Sequence, residues 1–206
     1  MKALKLIIML VYTSVSLHAF AQNRETVELV NSIRGQWEID QAGRAIYNMA
    51  VEMPGFSKDE LFFVALGYIH ERYGNQGILE QNQEQGKLRI KGTYTNVQKV
   101  SKGPAIKFYL NTSHEIHFNV EADKVYIQLY LTGYHTTFGQ TTMGAGYAPS
   151  TYEIYTLEYN IEDLYPIGPH VAVTYLTKSH TGAAFYESHM RAVKTMMKLE
   201  DLYLNY

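Results

Sequence analysis

The chain has 206 residues, 18 of them Lys or Arg, 20 Asp or Glu, and none Cys. Without cysteine there are no disulfides, no thiolate zinc sites, no cysteine nucleophile and no lipid anchor on a cysteine. The mildly acidic balance argues against nucleic acid, which calls for a basic patch. Eighteen tyrosines against one tryptophan are the oddity of composition.

In chain order, Lys2 and Lys5 precede a mostly apolar run from Leu6 to Leu17, and Ala19-Phe20-Ala21 has the small-residue pattern of a cleavage site. Residues 1–21 read as a secretory signal peptide, with Gln22 as the new N-terminus. The run is short for a membrane span, which needs roughly 20 apolar residues, and no other stretch is a candidate. The expected destination is the periplasm or the exterior. Without the two leader lysines, 16 cations face 20 acids.

Residues 22–43 are expected to form a helix over Glu25–Arg34, stopped by Gly35, then a short strand at Trp37–Asp40 and a turn at Gln41-Ala42-Gly43. From Arg44 to Met53, Ala45, Tyr47, Met49, Val51 and Met53 share one face, a half-buried strand ended by Pro54-Gly55. Ser57 with Glu60 forms a capping box, flanked by Phe56 and Leu61 as a hydrophobic staple. An apolar stripe then carries the helix to Tyr73, and Gly74 closes it.

Gly77–Gln83 and Lys87–Thr95 read as a hairpin, with a loop over Asn96–Pro104. His114–Glu121 and Lys124–Tyr134 form the next hairpin. Setting Val120 opposite Val125 pairs Phe118 with Ile127 and Ile116 with Leu129 on the core side. The same register pairs Asn119 with Tyr126, His117 with Gln128 and Glu115 with Tyr130 on the other. A slip by one residue would invert every pair. Residues 135–149 read as a loop. Tyr152–Ile161 and Val171–Thr177 alternate like strands. Ala184–Tyr203 is a second long helix, with Phe185, His189, Val193, Met196, Leu199 and Tyr203 on one side. Glu187, Arg191, Lys194, Lys198 and Asp201 lie on the opposite side.

The run Tyr47-Asn48-Met49-Ala50-Val51-Glu52-Met53-Pro54-Gly55-Phe56-Ser57-Lys58-Asp59-Glu60-Leu61 resembles the opening of domain of unknown function 4468. Gly86–Gly92, His117–Thr132 and Ile161-Glu162-Asp163-Leu164-Tyr165-Pro166 resemble later parts of that family, so the likeness covers about residues 44–166. It implies a TATA-binding-protein-like (TBP-like) fold in a secreted protein of Gram-negative bacteria. The family has no established activity, so the resemblance implies no site residue.

Candidate chemistry is sparse. His114 and His117 have a metal pair's spacing, but residues three apart on a strand point to opposite faces. There is no G-x-S-x-G elbow, and Gly144-Ala145-Gly146-Tyr147 lacks the context of a phosphate loop. No cofactor is expected. Glu115, His117 and Tyr130 can cluster on one sheet face and serve acid–base work. That face should present Arg89, Lys91, Thr93, Glu115, His117, Asn119, Tyr126, Gln128, Tyr130, Thr132 and Tyr134. Tyrosines among polar groups suit a small-molecule, glycan or protein partner, provided residues 150–177 do not roof the face.

The expected architecture is therefore α+β: residues 44–206 as one domain, an antiparallel sheet with the helices Ser57–Tyr73 and Ala184–Tyr203 on its apolar face. A lipocalin-like barrel, hinted at by Ile33-x-Gly35-x-Trp37, is the alternative fold. The expected function is a non-catalytic envelope binding or structural domain, with Glu115, His117, Tyr126, Gln128, Tyr130 and Tyr134 as the contact face. The alternative is a hydrolase-type enzyme using His117 with Glu115. A third option is membrane-surface association through Arg191, Lys194 and Lys198.

Overall fold

The computed structural model describes residues 24–102, 106–142, 151–169, 171 and 173–206. The leader expected over 1–21, the Gly144–Tyr147 run and His170 lie outside the described residues. Helix α1 covers 24–32. Strands β1 (Glu38–Ile39) and β2 (Ala45–Glu52) precede helix α2 (Lys58–Tyr73). Then come β3 (Ile78–Asn82), β4 (Lys87–Lys102), β5 (Ile106–Glu121), β6 (Lys124–Thr142) and β7 (Thr151–Asn160). A 3-10 turn at Ile161–Asp163 leads on to helix α3, Lys178–Leu204.

All strand pairs are antiparallel, in the order β1-β2-β6-β5-β4-β3. β7 extends the edge of β6 beyond the end of β2, pairing Gly133–Thr142 where β2 pairs Lys124–Leu131. The sheet is open, which excludes the lipocalin-like barrel.

The expected β5–β6 register holds throughout: Val120 faces Val125, Phe118 faces Ile127, Ile116 faces Leu129 and Glu115 faces Tyr130. Ile116, Ile127 and Leu129 are wholly buried, each contributing about 1.5–3 kcal/mol by burial. The hairpin turn from β3 to β4 needs Gly86, at φ +67°. A side chain there would sit 2.0 Å from the Val120 carbonyl, which also closes the approach of β5.

Both long helices cover the apolar sheet face and share one core with it. The α2 capping box forms as its sequence requires, with the Ser57 Oγ accepting from the Glu60 N–H and the Glu60 carboxylate accepting from the Ser57 N–H. Gly74 ends the helix at φ +64°. The Tyr203 hydroxyl of α3 donates to the Leu61 carbonyl of α2 at 3.3 Å. His189 is buried and satisfied: its Nδ1 pairs with the Tyr47 hydroxyl at 3.0 Å and its Nε2 with the Gln36 side-chain oxygen at 3.2 Å.

Four expectations need correction. The loop expected at Asn96–Pro104 is strand as far as Lys102. A bulge between Tyr94 and Gln98 absorbs the irregular stretch and returns Val100 to Phe108. The loop expected at 135–149 is strand to Thr142. The strand expected at Val171–Thr177 does not form among the described residues there, which are irregular and have Tyr175 at φ +73°. Helix α3 begins at Lys178, not Ala184. Thr177 caps it reciprocally with His180, and Gly182 lets Thr26 of α1 and the Tyr165 ring approach to within about a side chain's thickness.

Candidate binding face

Strand alternation turns Arg89, Lys91, Glu115, His117, Asn119, Tyr126 and Gln128 of β4, β5 and β6 away from the helices, while Thr112 and His114 of β5 point into the core. At the centre of that face four side chains stack in a row. The Arg44 guanidinium lies 4.6 Å from the Tyr130 ring centroid, the Tyr130 ring 4.6 Å from the His117 ring, and His117 Nε2 3.0 Å from Glu115 Oε2. Asp40 holds Arg44 at 2.7 Å. Although partial burial opposes it, hydrogen bonds from Arg44 and Ala42 keep the Asp40 carboxyl below its ordinary range. A second chain crosses to β1: the Tyr130 hydroxyl donates to Gln128, Gln128 to Asn48, and Asn48 to Glu38, each at 3.0 Å. Burial raises the Tyr130 hydroxyl against the opposing pull of Arg44, so the phenol stays a neutral donor.

The row is a ridge between two hollows. One, of about 500 Å³, is lined by Lys91, Thr93, Glu115, Thr132, His135 and Glu158 among others. The other, of about 320 Å³, is lined by Lys87, Arg89, His117, Asn119 and Tyr126 with Glu80. In the first, Lys91 stands directly opposite Glu115. His135 Nδ1 meets the Ser113 hydroxyl at 3.1 Å. Burial lowers the His135 imidazole, Lys91 lowers it further and Glu158 opposes both.

The expected face residues distribute unevenly. Glu115 lines the larger hollow and His117 and Tyr126 the smaller. Tyr126 is 37% exposed, with the Lys124 ammonium 4.8 Å from its ring centroid. Gln128 and Tyr130 belong to the ridge network. Tyr134 lines the edge of the larger hollow, but its side chain turns away from the face. A bulge between Ser113 and His114 leaves Thr132 unpaired, so β6 changes phase: Leu131 and Tyr134 both face the core. Tyr134 is 1% exposed, and its hydroxyl has no partner. Gly133 is the signal that marks this bulge in the sequence, since an isolated glycine in a strand often does. His135, Glu158 and Arg44 were missed, because their places depend on that phase change and on where β7 and the β1–β2 turn come to rest.

Residues 150–177 leave the face open among those described. β7 lies alongside β6 in the sheet, and the chain then turns to the helix side. Ile161 and Leu164 enter the core. Tyr175 packs edge-on against Phe108 and Phe138.

Two crystal structures have the same architecture. A TBP-like protein from Parabacteroides distasonis ATCC 8503 matches with a TM-score of 0.51 at 12% identity, over 81% of this chain and 96% of its own. A DUF4468 family protein from Bacteroides ovatus ATCC 8483 matches at 0.54 and 12% identity, over 82% and 91%. This chain has the TBP-like fold. At 12% identity the likeness speaks for the fold alone, so the TBP-like architecture brings no site residue with it. No protein family and no curated protein matches the sequence.

Proposed function

We propose that the protein is an exported, non-catalytic binding domain that takes a small polar ligand in the larger hollow of the open sheet face. The supporting observation is the hollow itself. It is concave, about 500 Å³, and brings Lys91, Glu115, His135 and Glu158 around hydroxyl-bearing walls, the mixture of donors and acceptors that orients a polar ligand. The test is small-molecule capture from envelope extract, read by mass spectrometry. Wild type should retain a defined compound that the Lys91→Ala/Glu115→Ala variant loses while its melting temperature stays put. Equal retention by both proteins would refute the site, and so would the absence of any retained compound.

Export rests on the leader-like pattern of residues 1–21. Protein recovered from the envelope should begin at Gln22. An intact Met1 terminus would refute this.

One observation favours a second reading, an acid–base enzyme: the 3.0 Å contact of His117 with Glu115 orients an imidazole. It requires turnover in a broad hydrolase screen that disappears in His117→Gln.

A further inference from the structure

The basic residues of α3 do not form a plain solvated stripe. Arg191, Lys194 and Lys198 of α3 converge with Arg72 of α2 on a cleft of about 300 Å³ at the free edge of β4. β3 pairs with β4 only as far as Ile90, so the strand beyond it has no neighbouring strand on that side, and the two helices form the walls. No carboxylate lines the cleft. Glu71, beside Arg72, acts on the lining Tyr68 without forming an ion pair among the described residues. Glu187 is committed to Arg191 at 2.8 Å, and Arg191 also donates to the Thr95 carbonyl at 2.7 Å. Arg191 is thus fixed in place, while Arg72, Lys194 and Lys198 form no ion pair among the described residues. Within the cleft the Thr195 hydroxyl donates to the Arg191 carbonyl at 2.9 Å and accepts from Tyr94 at 2.9 Å.

Like charges gathered in a concavity repel one another, and Lys194 and Lys198, four residues apart, destabilise the helix slightly. In a chain of acidic balance, that repulsion is relieved by an anion seated among the four cations. Arg72 offers a planar fork suited to an oxyanion, Arg191 adds the donors that Glu187 and Thr95 leave free, and the lysines add mobile point charges. A single carboxylate would leave most of these donors unused, whereas a multiply charged phosphate engages cations from both helices at once. We infer that this cleft binds a phosphate-bearing ligand. The site lies on the helix side and shares only Thr93 with the larger hollow of the sheet face, and its test uses none of the residues of that hollow.

The test is calorimetric titration of the mature protein with sodium pyrophosphate at constant ionic strength. Saturable binding is expected. It should weaken about tenfold or more in Lys194→Gln/Lys198→Gln, which removes two charged donors from the anion. It should not change in Lys99→Gln/Lys107→Gln, which removes the same charge from exposed positions elsewhere. Sedimentation with phosphatidylglycerol-containing vesicles separates the sources. Vesicle binding that pyrophosphate displaces identifies a lipid headgroup, and pyrophosphate binding without vesicle binding identifies a soluble phosphate ester. Equal weakening in both double variants would overturn the inference, as would no saturable binding to either probe.

Discussion

His114 and His117 show how three positions along one strand separate two chemical lives. His117 sits on the wet face beside Glu115. His114 is 1% exposed, stacked at 4.0 Å on Tyr94, and bonded through Nε2 to the Tyr73 hydroxyl at 3.1 Å. It occupies a notch that only glycine leaves: a side chain at Gly92 would come within 2.5 Å of the imidazole. Burial lowers its pKa from 6.5 to about 4. Below pH 6.5 the unfolded chain therefore takes up a proton that the folded chain refuses. Stability from this group is complete above that pH and falls as pH drops toward about 4, by about 3 kcal/mol over the window. Burial lowers His189 and His180 in the same direction, so the informative quantity is a difference between proteins. Urea unfolding at pH 7 and pH 4 should show that His114→Phe loses about 3 kcal/mol less than wild type on acidification. Identical losses would remove His114 as an acid-labile point.

At the scale of elements, what could be read in the sequence was whatever depended on neighbours along the chain. The α2 capping box, the glycine stop and the β5–β6 register follow from residues a few positions apart, and one pairing satisfies both faces of the hairpin. What could not be read depended on distant contacts. The start of α3 is capped locally, by Thr177 with a histidine, His180, in the place the pattern gives to Glu or Gln, but its Gly182 looks like a breaker until the distant Thr26 and Tyr165 are seen against it. The candidate face was legible for Glu115, His117, Tyr126, Gln128 and Tyr130, and illegible beyond Thr132, where one unpaired residue exchanges the two sides of β6. Tyr134 is the consequence. Its hydroxyl is buried without a partner, and burial pushes its pKa well above the ordinary phenol range. Tyr134→Phe is expected to raise stability by about 1 kcal/mol, because an unsatisfied buried hydroxyl costs roughly 1–3 kcal/mol. A loss of similar size in denaturant unfolding would mean that the hydroxyl has a partner.

At the scale of the molecule, two long helices take one side of the sheet and leave the other without a cover among the described residues. No described helix is long and apolar enough to cross a membrane. β7 widens the sheet along its edge, and the segment after it turns to the helix side, which keeps the hollows beside the Arg44–Tyr130–His117–Glu115 ridge open. The binding proposal depends on this division into a covered and an uncovered face. The most direct measurement is histidine footprinting of the native protein with diethylpyrocarbonate, read by mass spectrometry. His117, with a side chain 26% exposed, should be modified readily, while His114 stays protected until the chain unfolds. Rapid modification of His114 with His117 protected would invert the two faces and contradict the account.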